Sequence, residues 1–123
     1  LIDTDLGQTI ISDLTVGQKV WSVNTDGIKF LSTITKISKT LIFKQSLVSI
    51  VFSNNQSIIG TPEHKLTGGI KFSEIKINDR VGRYLVSNVF TTTSQKEHVY
   101  DLSLSEGNSY ISNDIVILSS IKP

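Results

Sequence analysis

Ile58-Ile59-Gly60-Thr61-Pro62-Glu63-His64-Lys65-Leu66 is the stretch from which the rest of the chain is read. Just upstream, Val48, Ile50 and Phe52 alternate with Ser49, Val51 and Ser53, the period of a strand. Asn54-Asn55 supplies turn chemistry and Ser57-Ile58-Ile59 runs back, so a hairpin is predicted. The return strand should stop at Gly60. Pro62 fixes φ and removes a backbone donor, which makes the next residues a stiff turn. Thr61 and His64 then stand three residues apart on a rigid corner. Such a pair can offer a hydrogen-bond donor and a proton donor to one nearby carbonyl or amide. A surface turn with a solvated histidine is the plainer reading of the same tetrapeptide, because short motifs match by chance.

The chain has 123 residues, enough for one domain with one core. Its 12 Lys and Arg against 11 Asp and Glu leave no charge bias that asks for nucleic acid, a membrane surface or an acidic partner. No apolar run approaches bilayer-spanning length, and no basic-then-apolar signal pattern opens the sequence. The absence of Cys excludes disulfides, a thiolate nucleophile and Cys-ligated zinc. With only His64 and His98, a His-rich metal site is not expected either.

Outward from the central hairpin, short β-like runs alternate with turn signals. Leu1-Ile2-Asp3-Thr4 reads as a strand fragment, with Leu1 inside the strand, and Asp3 and Asp5 read as turn formers. Ser12 is placed to cap a single helical turn that Gly17 would end. Lys19 to Val23 alternates as a strand, with Trp21 expected in the core, and Asn24-Thr25-Asp26-Gly27 is a hairpin turn. Lys29 to Phe43 reads as one bent strand or two. Val81 to Phe90 is strand-like, Thr91 to Glu97 is expected as an exposed loop, and Val99 to Leu104 alternates. Ser105-Glu106-Gly107-Asn108 is a hairpin turn from which Tyr110 to Leu118 returns. No segment holds a helical period over three turns, so the fold class is all-β.

One pattern occurs twice. Ile11-Ser12-Asp13-Leu14-Thr15-Val16-Gly17-Gln18-Lys19-Val20 matches Phe72-Ser73-Glu74-Ile75-Lys76-Ile77-Asn78-Asp79-Arg80-Val81 in residue type at most positions. Each reads apolar, Ser, acid, apolar, variable, apolar, turn residue, polar, base, Val. A Gly-containing turn precedes each, and a strand follows each. Two copies are too few for a solenoid; they point to two related β subdomains.

A duplicated β domain with Thr-x-x-His after a central hairpin resembles the Hint fold of inteins and Hedgehog autoprocessing domains. Four stretches carry the resemblance over nearly the whole chain: the first copy of the repeat, Gly60 to Leu66, Val99 to Leu104, and Tyr110 to Ile117. The resemblance implies a horseshoe-like, pseudo-two-fold fold in a single domain spanning 1–123. It implies autocatalytic protein splicing by acyl shift, transesterification and C-terminal cleavage, in a single turnover and with no cofactor. His64 matches the imidazole that protonates the scissile amide nitrogen, and Thr61 the residue that holds and polarises that peptide. Asp101 matches an acidic position near the second transfer step; a solvated strand-edge carboxylate is the alternative reading. Leu118 stands where the family commonly has a penultimate His, and Ser119 where it has the terminal Asn. Ser120 stands at the first flanking residue, either as the acyl acceptor or as an ordinary Ser of a polar tail. Asn108 sits near another His of the family, and His98 is expected as an exposed loop-end residue.

Two departures shape the expectation. Inteins open with Cys, Ser or Thr, whereas this sequence opens with Leu1, so a nucleophile-bearing segment of about half a dozen residues is expected ahead of the first strand. No Asn or Gln follows Asn113 to cyclise at the junction. By itself the chain is therefore expected to be inactive, and the larger part of a split intein is one way to complete it. The expected partners are the flanking host (extein) polypeptide and a short N-terminal intein fragment. A cytoplasmic monomer with no metal, no nucleic acid and no membrane is expected. The alternatives are a cleaving, non-splicing Hint autoprocessing domain and a β-rich binding module.

Overall fold

The computed structural model describes residues 1–119. Among these the regular structure is eleven strands and three short 3-10 turns. The chain divides into two compact units, Leu1–Lys39 together with the chain from Tyr100 onward, and Thr40–Val99.

The first unit is built on a sheet whose strands are β1 (Ile2–Thr4), β2 (Gly7–Thr9), β3 (Lys19–Val23), β10 (Ser109–Ser112), β11 (Ile115–Leu118) and the parts of β4 (Lys29–Ile42) and β9 (Glu97–Leu104) up to Lys39 and from Tyr100. Its order is β11-β10-β1-β3-β4-β9, with β2 paired to β1. Asn24 Oδ1 accepts from the Asp26 and Ile28 amides, at 2.9 and 3.0 Å, and so fixes the turn that pairs Val23 with Lys29. Ile2, Val20, Ile34, Leu102, Leu104 and Ile111 fill the interior of this unit. Each contributes roughly 1.5–3 kcal/mol by leaving water.

The second unit holds a sheet of order β6-β5-β8-β7, in which β5 is Ser46–Phe52, β6 Ser57–Gly60, β7 Arg80–Val81 and β8 Tyr84–Thr93. The predicted central hairpin is β5–β6, with Val48 opposite Gly60 and Asn55 at φ 68° in its turn. Ile50, Phe52, Ile58, Leu66, Phe72 and Val86 form its core.

The repeat is present as matched local geometry in the two units. The Gly17 amide donates to Ile34 O and the Ile34 amide to Gln18 O, both at 2.8 Å. In the second copy, the Asn78 amide donates to Val86 O at 2.9 Å and the Val86 amide to Asp79 O at 2.8 Å. The side chain of Gln18 accepts from the Thr15 amide, and that of Asp79 from the Lys76 amide. Gly17 and Asn78 both take positive φ, 94° and 74°. This is a conformation that Gly, and Asn more than most residues, adopts at low cost.

Several elements differ from the sequence reading. Ser12 does not cap its turn; it lies inside a 3-10 turn, Ile11–Asp13, whose cap residue is Ile10. The stretch from Lys29 is a single strand. The predicted strand from Val81 is interrupted by a turn at Gly82 and resumes as β8. The polar stretch Thr91 to Glu97 is mostly not loop, because Thr91, Thr92 and Thr93 extend β8 opposite Val48, Leu47 and Ser46. Ser94 is buried, with its hydroxyl accepting from the Gln45 amide. The return from Tyr110 is a hairpin, turned at Asn113 and Asp114, both at positive φ. Trp21 is half-buried, outside the core, and Asp3 lies within β1 with Gln8 as its partner. β1 starts at Ile2, and Leu1 precedes it, 50% exposed.

Candidate functional site

β6 ends at Gly60, as the sequence predicts, and the chain turns at Pro62. The His64 amide donates to Thr61 O at 3.1 Å and closes the corner. The corner is then tied to the second copy of the repeat. Pro62 O accepts from the Ser73 amide at 3.1 Å, and His64 O accepts from the Phe72 amide at 2.9 Å. The His64 ring stands edge-on to Phe72, with centroids 5.9 Å apart and planes at 64°. Phe72 is 1% exposed and presses on Gly60, where an added Cβ would lie 2.8 Å from its Cε2. Only glycine admits the ring at that distance, so the choice at position 60 helps set where the imidazole lies. Thr61 and His64 are both half-buried, packed enough to be held and open enough to be reached. Glu63, exposed between them in sequence, bonds Lys71 Nζ at 2.8 Å. That hydrogen bond raises the Lys71 ammonium above its ordinary range.

The second cluster lies in the other unit. Asp101 is 7% exposed, so the solvated strand-edge reading does not hold. Its Oδ1 accepts from the Tyr110 hydroxyl at 3.0 Å and from the Leu102 amide at 2.9 Å. Burial, and then the Asp101 charge beside it, push the Tyr110 phenol well above its usual range. Ser119 is half-buried at the end of β11. Its amide donates to Asn108 O at 2.6 Å, and its hydroxyl donates to Leu102 O.

Buried serines hold the turn that carries Asn108. Ser32 Oγ donates to Glu106 O at 2.8 Å and accepts from the Glu106 amide at 3.0 Å. Ser109 Oγ donates to Val23 O at 3.1 Å, so it is the acceptor in its 3.0 Å contact with Ser22 Oγ. Among the described residues no buried side-chain polar atom lacks a partner. Satisfied buried networks of this kind favour one geometry, because each lost partner leaves an expensive orphan.

Thr61 and His64 thus meet in one unit, and Asp101 and Ser119 belong to the other. His98 is exposed within β9 and takes part in neither cluster. Ser120 lies outside the described residues. Tyr110, Phe72 and Gly60 escaped the sequence reading as site residues. Nothing local marks Tyr110: it stands between serines in Ser109–Ser112, a strand that is not paired with the one carrying Asp101. Among the described residues, no group of three or more His, Asp or Glu is placed to hold a metal ion, and no helix is long and apolar enough to cross a membrane.

The arrangement of strands has clear likenesses among solved structures. The solution structure of a bacterial intein-like domain from Clostridium thermocellum matches with a TM-score of 0.84 over 97% of this chain and 93% of that one, at 16% identity. The fold is that of inteins. A crystal structure of the Ssp DnaB mini-intein variant M86 matches at TM-score 0.78, 16% identity, covering 100% of this chain and 91% of the other. The gp41-1 intein matches at 0.71, 19% identity, covering 96% and 92%. No protein-family model and no curated protein sequence matches the chain. The intein fold is therefore legible in the backbone at identities where the sequences have largely diverged. An all-β chain with a Hint architecture is the finding; the chemistry rests on the side chains described above.

Proposed function

We propose that this chain is the self-processing domain of an intein, acting once on the polypeptide in which it is embedded. The observation that carries this reading is the Thr61–His64 corner, pinned by the Ser73 and Phe72 amides and set in an intein fold. In the reaction a hydroxyl side chain ahead of β1 attacks the preceding peptide carbonyl. A C–O bond forms, the C–N bond breaks, and the nitrogen takes the hydroxyl proton. His64 carries that one proton to the nitrogen as it leaves, and Thr61 polarises the carbonyl. The Ser120 hydroxyl then accepts the acyl chain, with Asp101 serving that transfer and Ser119 marking the junction. The flanking host polypeptide is the substrate, and a short N-terminal fragment supplies the nucleophile when the intein is split.

A second reading is favoured by one observation. With Leu118 and Ser119 at the last two family positions and no Asn or Gln after Asn113, release by cyclisation has no side chain among residues 114–123. A Hint domain that cleaves without splicing needs none: water or an external nucleophile resolves the ester. The two readings separate in one experiment. The domain is flanked by two different reporter proteins, with a Ser nucleophile segment ahead of Leu1, and the products are weighed by mass spectrometry. Ligated reporters support splicing, and separated reporters with a free N-terminal fragment support cleavage. An inert precursor contradicts both and favours a β-rich binding module.

A further inference from the structure

Tyr110 heads the fully buried side chains of the described residues by volume, at 2% exposed. A phenylalanine would fill the same space with no demand for a partner. The hydroxyl is costly there unless it is bonded, and its partner is Asp101 Oδ1 at 3.0 Å. The Leu102 amide donates to the same oxygen at 2.9 Å. Two donors on one carboxylate oxygen fill its ordinary acceptor sites and fix the plane of the group. The phenol stays protonated across the working range of proteins, because burial and Asp101 both oppose its ionisation, so it remains a donor throughout. The same segment reaches the junction: Leu102 O accepts from the Ser119 hydroxyl.

We propose that Tyr110 is a positioning residue for Asp101: with the Leu102 amide it occupies Oδ1 and orients the carboxylate for acyl transfer. The chemistry rests on the self-processing reading; the geometry does not. In the transfer, a bond forms between the accepting hydroxyl oxygen and the acyl carbon. The bond from that carbon to the first ester oxygen breaks. The proton of the accepting hydroxyl passes by way of the Asp101 carboxylate to the departing oxygen, so Asp101 ends as it began. Tyr110 touches no reacting atom and acts only through the carboxylate.

The test uses the two-reporter precursor with Tyr110→Phe, which keeps the ring and removes the hydroxyl. Acyl transfer, read as product dependent on the second junction, should slow about tenfold to a hundredfold, while cleavage at the first junction by added hydroxylamine is unchanged. Equal slowing at both junctions, or no slowing at either, overturns the proposal. A spectroscopic arm needs no activity. A slowly exchanging hydroxyl proton should correlate with the Tyr110 ring, vanish in Tyr110→Phe and shift in Asp101→Asn. If the unaltered precursor reacts at neither junction, the self-processing reading fails and this arm decides the geometry alone. A Tyr110 hydroxyl signal that ignores Asp101→Asn overturns it, and one that moves supports it.

Discussion

The imidazole of His64 stands edge-on against the ring of Phe72, 5.9 Å between centroids, in a space that exists because residue 60 is glycine. The contact joins a turn after one strand to the 3-10 turn Phe72–Glu74. Edge-to-face packing of this kind restricts ring orientation and contributes on the order of 0.5–1.5 kcal/mol beyond area burial.

Gly60→Ala should therefore disturb His64 without touching it. The added methyl meets Phe72 below van der Waals distance, and overpacking of a filled core typically costs about 1–3 kcal/mol. The expected result is a lower thermal midpoint together with a displaced His64 ring resonance. Phe72→Ala should cost more, about 3–5 kcal/mol, by opening a cavity. Chemical denaturation of the two variants checks the order.

Glu63 separates neighbourhood from function. Its ion pair with Lys71 is solvent-exposed on both sides, and exposed pairs add little. Glu63→Gln should leave both the thermal midpoint and the rate of first-junction cleavage unchanged. A large loss of rate would place Glu63 in the site beside His64.

Gly107 carries the turn next to Asn108 at φ 74°, and a Cβ there would lie 2.9 Å from Phe30 Cζ and 3.0 Å from Ser22 Oγ. Gly107→Ala combines backbone strain of about 1–3 kcal/mol with a clash against the buried serine network. Because Asn108 O accepts the Ser119 amide, processing at the second junction should suffer more than at the first. Product ratios from the two-reporter precursor measure this.

Tyr110 makes stability fall at alkaline pH. Its phenol is raised in the folded chain above the ordinary value of 10.0 that it has when unfolded. The unfolded chain therefore releases this proton first as pH rises. The associated stability is full below the unfolded value and is lost as pH climbs through it toward the folded one. Tyr110→Phe should flatten that part of the alkaline stability curve. Asp101→Asn should flatten it only in part, because burial, the larger cause, persists.

What the sequence showed and hid follows from its chemistry. The hairpin before Thr61 was legible because alternation, Asn-Asn and Gly-x-Pro agree on one conformation. The repeat was legible because its turns need particular residues at Gly17 and Asn78, and those turns recur bond for bond. The Thr91 to Thr93 run was misread because polarity marks exposure, not the absence of a strand, and β-branched Thr pairs readily across from Leu47 and Val48. The burial of Asp101 was hidden because Asp101, Leu102, Ser103 and Leu104 are all buried, so both faces of that strand end are covered and alternation carries no information. The Asp101–Tyr110 bond is a tertiary pairing, and neither residue alone announces it.

The most direct test of the account is the rate of first-junction cleavage in a His64→Ala precursor carrying a Ser nucleophile, with circular dichroism as the folding control. Loss of the proton donor should slow that step by about a hundred- to ten-thousand-fold, roughly three to five kcal/mol of barrier. The far-ultraviolet spectrum should keep its β signature, since the ring is half-buried and packs edge-on against Phe72. Thr61→Ala should slow the same step less. A His64→Ala precursor that folds normally and cleaves at the unmodified rate would contradict the account, leaving the Thr61–His64 corner as a turn and nothing more.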